Sequence, residues 1–124
     1  MNPFTQSLLT RLGAHQITEF IAQWDVLEGL VIRVFRAKGA SPADEADYAQ
    51  THAWLRAHYG DWRAALAQYW PQAKVAGASA TEDPFEKLLA PGPAAAFVGN
   101  WPALQALPAA RESLNRLILD LQQD

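Results

Sequence analysis

The chain has 124 residues and a formal net charge of −3; half of its residues are apolar and 19% are charged. This length is typical of one domain with one hydrophobic core, and the composition excludes a chain too polar to fold. The absence of cysteine excludes disulfides, thiolate metal ligands and cysteine nucleophiles. We therefore expect one helical domain that spans residues 1–124.

The sequence shows no signal for a membrane or for nucleic acid. The opening stretch MNPFTQSLL lacks the basic and continuously apolar regions of a signal peptide, and Arg33 interrupts the longest apolar run. The ten basic residues are spread along the chain and form no stripe that could follow a phosphate backbone. We expect a cytoplasmic protein with neither a membrane nor a nucleic acid as its partner.

The first third of the chain predicts two helices. Asn2 followed by Pro3 is typical of a helix start, and Gly13 is typical of a helix end. From Gln16 to Lys38 apolar residues recur at helical spacing, and Gly39 follows where a C-terminal glycine is common. The pattern predicts a short first helix and a long second helix at the centre of the fold.

The segment from Ser41 to Pro71 predicts a tight helical hairpin. Ser41 is a suitable N-cap for a third helix, which the pattern extends to about residue 59. Gly60 then interrupts the pattern, and Asp61 can cap a fourth helix.

A long connection rich in alanine, glycine and proline follows over residues 71–99. The spacing of Asp83 and Glu86 is that of a capping box, which predicts one short helix near residues 84–90. Pro108 is typical of a first helical turn, so we expect the last helix to begin there. No segment shows the alternation of a strand, and the predicted fold class is all-α: a compact bundle of about four principal helices plus short ones, packed up-and-down or orthogonally.

Aromatic residues are concentrated in the predicted hairpin, which holds all three tyrosines and three of the five tryptophans. Offsets of 4 and 11 residues place Tyr48, His52 and Tyr59 on one face of a helix. With Trp62 and Trp70 they could line a pocket for a flat or apolar ligand. The alternative is an ordinary aromatic core, which is the more common use of such rings.

Glu28 lies within the apolar face of the second helix, where an ionised carboxylate needs a partner. Arg56, Arg63 or His52 could pair with it; without such a partner its pKa would rise, as in a general acid or base. Glu28 with a histidine is therefore the basis of an enzymatic hypothesis. No metal-ligand, nucleophile or phosphate-loop motif is present, and we expect no metal and no cofactor.

Three functional hypotheses follow. The preferred one is a non-catalytic protein-interaction module, homo-oligomeric through its terminal helix or through exposed apolar residues such as Val26 and Leu119, or bound to another protein. The alternative is a small-molecule-binding domain with the aromatic pocket as its site. The third is an enzyme that uses Glu28 and a histidine.

Overall fold

The computed structural model describes residues 1–70 and 83–123. Within these ranges the chain is helical and contains no strand, which confirms the all-α fold class. The elements are α1 (Pro3–Ala37), α2 (Pro42–Ala67), α3 (Pro84–Leu88), a 3₁₀ helix (Ala94–Phe97) and α4 (Trp101–Leu121). None of the described helices combines the length and the apolar character that crossing a membrane would require.

Helices α1 and α2 run antiparallel. Near the start of α1, Arg11 Nη2 donates to the carbonyl of Asp61 late in α2 over 3.3 Å. Near the end of α1, Arg33 pairs at 2.8 Å with Asp44 in the first turn of α2. Antiparallel packing follows from the short connection between the two helices.

Helix α4 packs against both other long helices. Arg111 in the middle of α4 contacts Glu28 of α1 at 2.9 Å. The buried hydroxyl of Ser113 donates to the carbonyl of Leu66, near the end of α2, over 2.6 Å. The three long helices α1, α2 and α4 thus each contact the other two.

Aromatic rings from three elements form the middle of the core. Phe20 of α1 stacks on Trp62 of α2 with ring centroids 4.0 Å apart, and Trp24 of α1 meets Phe85 of α3 at 4.8 Å. Leucines of all four α-helices fill the space around these rings. Those with no exposed surface are Leu8, Leu27, Leu55, Leu66, Leu88, Leu114 and Leu117.

The helix end predicted at Gly13 is present as a kink inside α1. Gly13 has φ 81° and ψ 164°, a conformation that only glycine adopts easily. The helix resumes at once instead of at Gln16, so the two predicted helices form one kinked element. At the other end, Lys38 and not Gly39 adopts the left-handed capping conformation, with φ 57°.

The hairpin predicted at Gly60 is wrong, because α2 continues through it to Ala67. A glycine inside a helix costs only about 1 kcal/mol relative to alanine, and burial of an adjacent apolar face exceeds that cost. Tyr59 and Trp62, on either side of Gly60, are both buried, while Gly60 itself is exposed. One uninterrupted helix places both rings in the core.

The helix start predicted at Pro108 is also wrong. Helix α4 begins two turns earlier, where the side chain of Asn100 accepts a hydrogen bond from the Ala103 N–H at 3.2 Å. Pro108 lies inside the helix and has no N–H, so the carbonyl of Leu104 lacks its usual helical donor. The short helix predicted near 84–90 is present as α3; residues 71–82 of the predicted connection lie outside the described residues.

Candidate functional site

The aromatic face of α2 holds the chain's own segment of residues 83–97. In the first turn of α2, the carboxylate of Glu45 accepts hydrogen bonds from the N–H groups of Ala94 and Ala95, at 2.6 and 3.2 Å. One turn later Tyr48 lies edge-on to Phe97, with centroids 5.7 Å apart. Burial raises the pKa of Tyr48 from 10 to about 12, because the charged phenolate would lose its hydration there.

His52 and Arg56 bind the carbonyls that follow α3. His52 Nε2 lies 3.0 Å from the Leu89 oxygen and 3.1 Å from the Ala90 oxygen. Because both partners are carbonyl acceptors, Nε2 carries the proton and donates. Arg56 Nη1 donates to the same Leu89 carbonyl. The two side chains satisfy carbonyls that the end of a helix leaves without partners.

Tyr59 is bound to the N-cap of α3. Its hydroxyl donates to the two carboxylate oxygens of Asp83 at 2.7 and 2.6 Å, and Asp83 also accepts from the Phe85 and Glu86 N–H groups. Burial, and next the hydrogen bond to Asp83, raise the pKa of Tyr59. Arg63 Nε lies 3.3 Å from the same carboxylate and compensates its charge.

The two tryptophans predicted to line a pocket with these residues lie away from this face. Trp62 is buried in its stack on Phe20 of α1, and Trp70, beyond the end of α2, lies with its ring 5.2 Å from the guanidinium of Arg63. Tyr48, His52 and Tyr59 therefore share one face, as the spacing predicts, and that face contacts the chain itself. Trp62 and Trp70 do not join them around one space.

Glu28 finds a partner that the sequence hypothesis did not include. Arg111 of α4 donates to Glu28 Oε2 through Nε at 3.0 Å and to Asp25 Oδ1 through Nη2 at 2.6 Å. Burial alone would lower the pKa of Arg111, but the hydrogen bonds to the two carboxylates outweigh it and raise the pKa. No hydrogen bond or ion pair within the described residues joins Glu28 to Arg56, Arg63 or His52.

An apolar groove of about 470 Å³ opens between α1 and α4 above this ion pair. We call it the α1/α4 groove. Its lining residues are Glu28, Ile32, Phe35, Arg36, Leu104, Leu107, Pro108 and Arg111. At the N-terminal end of α4, Trp101 stands edge-on to Phe35, with centroids 5.0 Å apart, and remains 60% exposed.

Charge is distributed unevenly around the groove. At one end Arg111 pairs with both Glu28 and Asp25, so two carboxylates share one guanidinium. Arg36, about two helical turns along α1, forms no hydrogen bond or ion pair with any other described residue. Within the described ranges no three histidine or carboxylate side chains gather as metal ligands would. The groove combines apolar walls with a cation that pairs with no described residue, an arrangement suited to binding an apolar segment that carries a negative charge.

Of the site residues predicted from the sequence, only Glu28 lines this groove. Leu104 and Trp101 were missed because the last helix was predicted to begin at Pro108, which left both outside it. The signal was present: Asn100 followed by Trp-Pro is an N-cap with proline in the first turn, and Leu104 and Leu107 have helical spacing. The exposure expected of Val26 and Leu119 is observed, at 49% and 60%.

Comparison of the chain with models of protein families, with curated proteins and with solved structures finds no match.

Proposed function

We propose that this chain is a non-catalytic protein-interaction module and that the α1/α4 groove is its docking site. The proposal depends chiefly on Trp101, a large aromatic side chain 60% exposed beside an apolar groove. Tryptophan beside an apolar depression is typical of residues that contribute most to protein association. Ile32, Phe35 and Leu104 provide an apolar floor for such a contact.

A binding role also agrees with the state of the ionisable groups. The enzymatic hypothesis requires Glu28 beside a histidine, whereas Glu28 is bound to Arg111 and His52 donates to backbone carbonyls. General acid–base chemistry requires a group positioned to exchange a proton with a substrate. The side chains proposed for catalysis are instead used to join helices. We place the module in the cytoplasm, in keeping with its lack of cysteine.

A photo-crosslinking experiment tests the docking site. A benzophenone amino acid replaces Leu104 in the groove or, as a matched control, Gln50 on the exposed side of α2. Irradiation of cells that naturally make the chain should give a discrete crosslinked protein from position 104 and none from position 50. Ile32→Glu should abolish the product while circular dichroism shows an unchanged helix content. A product from position 50 alone would contradict the proposal.

A second candidate function is the binding of a small apolar acid in the same groove. The volume of about 470 Å³ lies within the range of small-molecule sites, and Arg36 could pair with a carboxylate. Native mass spectrometry of the purified full chain would show a retained small molecule as a mass increment. Loss of that increment in Arg36→Gln, with no crosslink from position 104, would favour this candidate over protein docking.

A further inference from the structure

We propose that the partner of the groove face is a second copy of this chain, docked with its α1 antiparallel to the first. The inference depends on the proposed interaction function and names the partner. The surface concerned, called the α1 face, is the side of α1 between Asp25 and Ala37 that carries Gly29, Ile32 and Arg36 and adjoins the groove. It includes a second, more open concavity lined by Gly29, Ile32, Arg33, Arg36 and Ala37, which adjoins the α1/α4 groove.

The charges of the α1 face are arranged in a self-complementary way. Asp25 stands at one end, with its side chain 58% exposed although it contacts Arg111. Arg36 stands at the other end without an ion pair to any described residue. Eleven residues of helix separate the two by about 16 Å. A two-fold axis midway between them places each Arg36 opposite the Asp25 of the other copy, so two ion pairs form at once.

The shape of the α1 face follows the same symmetry. The axis that pairs positions 25 and 36 also pairs positions 29 and 32. A Cβ atom added to Gly29 would meet nothing within 4 Å, so the space above it is open. Ile32 of one copy can therefore lie over Gly29 of the other. Val26, 49% exposed at the edge of this face, then loses contact with water.

Helix direction explains why the second copy must be antiparallel. A parallel copy related by a two-fold axis would place Arg36 beside Arg36 and Asp25 beside Asp25. Like charges facing each other oppose association. The antiparallel arrangement replaces both repulsions with attractions.

Sedimentation equilibrium of the full chain across the micromolar range tests the inference. The expected species has twice the 13.7 kDa of one chain. Arg36→Glu should weaken the dimer about tenfold or more, because each interface loses two attractions and gains two repulsions. Arg116→Glu is the matched control: it makes the same charge change on α4, where Arg116 pairs with Glu112, and should leave the dissociation constant unchanged.

Two further variants separate the interface from folding. The double variant Asp25→Lys with Arg36→Glu exchanges the charges and should restore part of the dimer lost in Arg36→Glu; the recovery is partial because the new lysine also faces Arg111 of its own chain. Gly29→Arg should give a folded monomer, because the new side chain has open space in one copy and blocks the other. Thermal unfolding of each variant confirms that it is folded.

The outcomes distinguish this inference from the proposed function. A monomeric wild-type chain at every concentration would overturn the second-copy proposal, as would a dimer insensitive to both Arg36→Glu and Gly29→Arg. If position 104 then crosslinks to a different protein, the interaction function stands and only the identity of the partner is wrong. If position 104 gives no crosslink to any protein while a dimer forms, the groove is not the docking site.

Discussion

Replacing Gly60 with alanine should raise the stability of the fold if α2 is continuous and lower it if Gly60 lies in a hairpin turn. In the structure Gly60 lies on the exposed side of α2, and an added Cβ meets nothing within 4 Å. Its φ angle is not in the positive range, so alanine fits without strain. Alanine also restricts the unfolded chain more than glycine does. We therefore expect Gly60→Ala to stabilise the fold.

The size of the stabilisation expected for Gly60→Ala follows from helix propensity. Glycine in a helix interior is less favourable than alanine by about 0.5–1 kcal/mol. For a chain of this length, that gain corresponds to a rise in melting temperature of about 2–5 °C. Urea unfolding followed by circular dichroism should show a higher midpoint with an unchanged slope.

Gly13 provides the matched control, because its backbone has φ 81° and ψ 164°. Alanine at that position is strained, and Gly13→Ala should destabilise the fold by about 1–3 kcal/mol. If Gly60→Ala instead lowered the urea midpoint, Gly60 would be a turn residue and the continuous α2 would be wrong.

Three further predictions concern the bonds that hold segment 83–97 and the start of α2. Tyr59→Phe removes a hydrogen bond to the carboxylate of Asp83 and should cost about 1.5–3 kcal/mol in urea unfolding; no loss would mean that this bond contributes nothing. The pKa of Tyr48 rises from 10 to about 12 on folding, so the free energy of unfolding should fall as pH rises from 10 to 12, and less steeply in Tyr48→Phe. The pKa of Asp44 is lowered by hydrogen bonds from Ser41 and then by the ion pair of Asp44 with Arg33, despite an opposing contribution from burial. The stability gained from Asp44 is therefore present above pH 4 and lost below it. Asp44→Asn should reduce the loss of stability between pH 4 and lower pH, measured by urea unfolding.

The fold class could be predicted because apolar spacing is a local property. The capping residues Asn2, Ser41 and Asp83 all act as N-caps in the structure, since a cap depends only on the next few residues. Gly60 and Pro108 were misinterpreted because both residues disfavour a helix locally, by about 1 and about 3 kcal/mol relative to alanine, and long-range burial overrides these costs. The positions of helix ends inside a packed face are thus decided by tertiary contacts.

The candidate site was predictable only in part. The shared face of Tyr48, His52 and Tyr59 follows from helical spacing, but what covers that face depends on how segment 83–97 returns to α2. The pairing of Glu28 with Arg111 joins residues 83 positions apart. No local pattern indicates which of several arginines is the partner.

Fluorine NMR of the full chain labelled with 5-fluorotryptophan tests the location of the docking site most directly. The titrant is 1-anilinonaphthalene-8-sulfonate, an apolar anion that matches the groove walls and Arg36. We predict that the resonance of Trp101, assigned through Trp101→Phe, shifts on titration, while those of Trp54 and Trp62 on α2 do not. Shifts at Trp54 and Trp62 with an unchanged Trp101 would place the accessible apolar site on α2, away from the α1/α4 groove, and contradict the account.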